Sequence, residues 1–136
     1  AEVVQALTSD VDLLRAQLAA IVPSSGTRVD RGLDAARWIL EADAAGADHT
    51  RAIVLLSDGR SSVDDATVLA AADAAKAVVD RLFVIGLGSD EAVDHALLAR
   101  VASAPDAFFV APTPNELATI YATIARTLTC ANLDWP

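Results

Sequence analysis

Basic residues are scarce in this chain. Ten lysines and arginines stand against nineteen aspartates and glutamates, for a net charge of −9. Nucleic-acid binding is driven by Lys and Arg neutralising phosphates, so this balance excludes nucleic acid as a partner. Aromatic residues make up only 4%, which favours close-packed, alanine-rich helices over a bulky aromatic core. No apolar run approaches the roughly 18 residues that a membrane-spanning helix needs. A single cysteine, Cys130, means that no disulfide closes within the chain. Methionine is missing altogether, and the first residue is Ala1, with no initiator and no signal sequence. An upstream portion is therefore expected.

What is present describes a globular chain: 54% hydrophobic and 21% charged over 136 residues, one domain long enough to bury a core. The stretch Ala52-Ile53-Val54-Leu55-Leu56 has no polar residue at alternate positions, the mark of a strand buried on both faces. It stops abruptly at Ser57-Asp58-Gly59. Upstream, Val3, Val4 and Leu7 predict a short strand over Ala1–Leu7. A helix follows, with Ser9 and Asp12 spaced as a capping box and Leu14, Leu18 and Ile21 at helical spacing up to Pro23. Val29, Leu33, Ala36 and Leu40 form the stripe of a second helix, with Gly46 as its cap. Beyond the strand, Ser62 is the expected cap of a helix over Val63–Val79. Leu82–Leu87 is a second buried strand, Val93, Leu97 and Val101 line a further helix, and Ala107–Val110 is a short strand. Thr113-Pro114-Asn115-Glu116 opens the last helix as a capping box with proline at its first position. Strands alternating with helices of this length mean right-handed crossovers and a parallel α/β sheet.

In such a sheet the C-terminal ends of the strands share one edge, where ligands bind. Those ends carry Ser57-Asp58-Gly59, Gly86-Leu87-Gly88-Ser89 and Ala111-Pro112-Thr113. A carboxylate beside hydroxyls suits a hard cation such as Mg²⁺, which takes oxygen ligands in near-octahedral geometry. The alternative is turn chemistry, with Asp58 accepting backbone N–H bonds ahead of Gly59. The loop carrying Thr27 reaches this edge only if it folds over the sheet. Gly86-Leu87-Gly88 lacks the third glycine and the later acidic residue of a dinucleotide fingerprint, and reads as a tight turn with close helix approach. His49 and His95 have no partner at metal spacing, which argues against zinc. Ser57 is not in a Gly-x-Ser-x-Gly elbow, so a serine hydrolase is poorly supported. Arg51, Arg60, Arg81 and Arg100 are scattered and read as solvated.

With these pieces placed, the chain resembles a von Willebrand factor type A domain. Gly26-Thr27-Arg28-Val29-Asp30-Arg31-Gly32-Leu33 is similar to that family's Gly-Thr loop entering a helix, and Ile53–Gly59 to its central strand ending in aspartate. Leu82–Gly88 resembles the next strand, and Ala107–Val110 with the long terminal helix resembles the family's ending. The resemblance implies a Rossmann-like, doubly wound, mostly parallel sheet with helices on both faces. It also implies a metal-ion-dependent adhesion site in which Thr27 and Asp58 are ligands. The third loop of that site, Asp-x-Ser-x-Ser, has no match; with the first strand and first helix it would precede Ala1. The chain thus resembles an N-terminally truncated, single partial domain. Mg²⁺ (or Ca²⁺ or Mn²⁺) is expected for the complete domain and weak or absent here, since Thr27 and Asp58 are too few ligands. The missing neighbour would leave the Arg51–Ser57 strand exposed, so the chain alone is expected to fold poorly.

By the same resemblance, the expected role is a non-catalytic protein-binding or adhesion module, and the chain is not expected to be an enzyme. Its protein ligand presents an acidic side chain that completes the cation's open position. A cysteine upstream of Ala1 is the implied partner of Cys130, which points to an extracellular or cell-surface protein; an unpaired buried thiol, with a cytoplasmic location, is the alternative. Composition suggests a bacterial source. The competing functions are an intracellular scaffold or regulatory subunit of a multiprotein complex, and a phosphate-binding enzyme on a related α/β sheet. An upstream Asp-x-Ser-x-Ser separates the first reading from the last, which needs a glycine-rich phosphate loop there.

Overall fold

The computed structural model describes residues 1–22, 26–43, 49–57, 61–88, 93–111 and 113–130. Along these run α1 (Val11–Ala19), α2 (Val29–Ala42), β1 (Ala52–Ser57), α3 (Asp65–Lys76), β2 (Arg81–Leu87), α4 (His95–Val101), β3 (Phe108–Ala111) and α5 (Pro114–Cys130). A single 3-10 turn, Pro105–Ala107, leads into β3. The described strands form one sheet in the order β1-β2-β3. Both pairings are parallel: Ala52 lies opposite Arg81 and Ser57 opposite Gly86, while Val84 lies opposite Phe108 and Leu87 opposite Ala111.

The central strand explains its own sequence. Leu82, Phe83, Val84 and Ile85 are each no more than 2% exposed, so both faces of β2 are covered and no polar alternation is tolerated. Right-handed crossovers place α3 and α4 on one face. There α2 packs on α3, and α3 on α4. Val68, Ala72 and Ala75 of α3 are fully buried; the alanines let that helix lie close to its neighbours. α5 packs on β3 and sends Ile124 into the core, with Leu117, Ile120 and Leu128 beside it. The result is the expected α/β, Rossmann-like arrangement.

Close approach at the end of β2 needs a glycine. A Cβ on Gly86 would sit 3.0 Å from Val93 Cγ1 and 3.6 Å from Leu98 Cδ1. The next turn passes through Gly88 at φ +112°, a conformation that side chains other than glycine resist. α5 begins as expected: Thr113 Oγ1 and the Glu116 carboxylate are 2.6 Å apart, and the Glu116 N–H donates to Thr113 Oγ1 at 3.4 Å.

Three expectations are corrected. Ala1–Leu7 is not a strand. It lies against α1 and α2, among Leu14, Leu18, Ala35 and Ile39, and among the described strands it pairs with none. α1 is capped by Asp10, which accepts the Leu13 N–H at 2.9 Å, and not by Ser9. α3 starts after Asp64, which accepts the Thr67 N–H at 2.9 Å and its hydroxyl at 2.8 Å, and not after Ser62. A carboxylate facing the positive end of a helix is the stronger cap in each case. The expected cap at Gly46 and the turn at Gly59 lie outside the described residues.

Candidate binding site at the strand ends

The loop carrying Thr27 does fold over the C-terminal end of β1. Gly26 takes φ +88°, turning the chain so that Thr27 meets the segment entering α3. The Thr27 N–H donates to Ser62 Oγ at 3.0 Å, and the Ser62 N–H donates to the Thr27 carbonyl at 2.7 Å. Ser61 Oγ reaches the same carbonyl at 3.5 Å. Two loops some 35 residues apart in the chain are thereby stitched together. Ser57, at the end of β1, is 5% exposed. With Gly26, Thr27, Arg28, Val29, Gly32, Leu55 and Leu56 it lines an open cavity of about 320 Å³.

An ion pair sits beside this cavity. Arg28 precedes the first residue of α2, and its Nε and Nη2 donate to the two oxygens of Asp30 at 2.9 and 2.7 Å. The Asp30 side chain is 8% exposed and that of Arg28 is 39% exposed. The Arg28 fork holds the Asp30 carboxyl down at about 2; burial pushes the other way and loses, and N–H groups of the first turn assist. Because the folded value lies below the ordinary 3.8, the stabilisation is complete above about pH 4. It is lost as pH falls through about 2. Arg28 is partly solvated, so solvent screens the pair and its contribution is smaller than that of a fully buried one. Chemical denaturation should show Asp30→Asn less stable than the parent at pH 7, with the gap closing toward pH 2; a gap independent of pH would refute the assignment.

Thr27, expected as a ligand, lines the cavity; Asp58, expected as its partner, lies outside the described residues. Sequence reasoning missed the Arg28–Asp30 pair and the bonding of Ser61 and Ser62 to Thr27. The signal available was an Arg and an Asp two apart across a helix start, and a pair of serines in the connection after β1. Among the described residues no group of three or more His, Cys, Asp or Glu is placed to hold a metal ion. Thr27, Ser57 and Arg28 are among the residues lining the cavity. A divalent cation wants anionic oxygens, and among the described residues that line this cavity none supplies one. Among the described residues no helix is long and apolar enough to cross a membrane.

Comparison with known proteins gives one family. Its model, described as von Willebrand factor type A domain, matches residues 2–123. No curated protein matches. Among solved structures the chain is similar to an uncharacterized membrane spanning protein from Vibrio fischeri, at 26% identity and a TM-score of 0.46. That match covers 88% of this chain and 67% of the other.

Proposed function

The chain belongs to the von Willebrand factor type A family, and from that premise we propose that it is a protein-interaction module that receives an acidic side chain at the end of β1. The observation that carries this reading is the Thr27–Ser62 stitch, which ties the loop that lines the cavity to the segment entering α3. A loop already tied down lowers the ordering cost of binding. Thr27 and Asp58 are the proposed remnant of an adhesion site whose Asp-x-Ser-x-Ser loop this sequence does not contain. Two ligands are too few for tight binding of Mg²⁺. Adhesion at a cell surface is the proposed setting. The scaffold alternative differs in the partner and the compartment, not in the site.

Two measurements test the proposal. Selection of displayed peptides against the chain should recover sequences sharing an acidic residue, and their binding should be lost in Thr27→Tyr, which fills the cavity. Peptides without a shared acid, or indifferent to Thr27→Tyr, would refute it. Calorimetric titration with Mg²⁺ alone should show nothing tighter than about millimolar; a micromolar isotherm would mean that a complete cation site exists.

A further inference from the structure

The acidic-ligand reading leaves open what supplies the positive charge. Resting on that reading, we propose that Arg28 receives the partner's carboxylate directly, so that recognition at this cavity needs no metal. A guanidinium carries five N–H donors in a planar fork. Asp30 takes one from Nε and one from Nη2, which leaves three. The carboxylate that holds the fork is buried, while the Arg28 side chain is 39% exposed. One edge of the guanidinium is thus anchored, and donors remain for a second carboxylate arriving from solvent.

That arrangement is what bidentate recognition requires. Anchoring by Asp30 removes rotamer freedom before the ligand arrives, and the remaining N–H groups match carboxylate geometry where a point charge would not. Val29, Leu55 and Leu56 line the cavity together with Arg28, so the favoured ligand is an acid flanked by apolar side chains. Asp30 already balances the charge of Arg28. Binding therefore rests on directed donors more than on long-range attraction.

The probe is the peptide acetyl-Ala-Leu-Asp-Leu-Ala-amide, with its Asn counterpart as control, titrated into the chain in EDTA and again in Mg²⁺. The Asp peptide should bind equally in both and should shift the Arg28 Nε–H resonance. The Asn peptide, and the Asp peptide against Arg28→Gln, should each bind about tenfold more weakly or worse. Should Arg28→Gln fail to fold, the resonance of the unaltered chain decides the matter alone. Binding that requires Mg²⁺ and leaves Arg28 unshifted would overturn the role of Arg28 while sparing the acidic-ligand reading. No binding of the Asp peptide under either condition would overturn both.

Discussion

Phe83→Ala is expected to bring the chain to the edge of unfolding at 25 °C. Phe83 is 2% exposed and sits at the middle of β2, opposite Val54 of β1. Truncating a buried Phe costs about 3–5 kcal/mol, the lost transfer energy plus the cavity left behind. Both flanking residues, Leu82 and Val84, are fully buried, so the strand has little freedom to collapse into the space. Domains of this size have roughly 5–15 kcal/mol in total. This one begins low in that range, because Val3, Val4, Leu7, Leu18, Ile21 and Val22 are all at least 46% exposed and contribute little burial. Far-ultraviolet circular dichroism against urea checks it. A midpoint within about 0.5 M urea of the parent, equivalent to a loss near 1 kcal/mol, would contradict the central placement of β2.

The same burial explains what could be read in advance. β1 and β2 were legible because a strand covered on both faces admits only apolar residues, and Gly86 because a strand-to-helix turn under a packed helix leaves no room for a Cβ. The start of α5 was legible because Thr113 and Glu116 cap locally. Ala1–Leu7 was not, for a physical reason: Val3, Val4 and Leu7 satisfy a strand pattern, but a strand exists only when another edge supplies hydrogen bonds. The caps at Asp10 and Asp64 were ambiguous, since Ser9 and Ser62 stand within two residues and the choice is made by the fold. The loop carrying Thr27 was expected to reach the strand ends only if it folded over the sheet, and it does. Its stitch to Ser62 was not legible, because nothing local links residues on either side of β1. The Arg28–Asp30 pair was visible as charges but not as a fork on a buried carboxylate, which depends on what α2 packs against.

Among the described strands β1 is the edge of the sheet, and its open side sets the second large effect. Ala52–Leu56 is apolar throughout, as befits an interior strand, yet Leu56 is 37% exposed. Grooves run beside the strand, one lined by Leu7, Ile39, Ala52 and Val54, the other by Leu55, Leu56 and Ser57. A flat apolar strand with unpaired backbone groups pairs readily with another chain. The chain is therefore expected to self-associate, with most of the material above monomer mass at about 100 µM in sedimentation velocity. Leu56→Lys should return it to monomer at a cost under about 1 kcal/mol, since the side chain already reaches solvent and lysine guards natural edges in the same way. The exposed apolar residues of α1 are the competing cause, and Leu18, at 67% exposure, separates the two. If Leu18→Lys yields monomer and Leu56→Lys does not, association runs through apolar patches on the N-terminal segment. If Leu56→Lys alone suffices, it is the backbone edge of β1 that the −9 charge of the chain fails to protect.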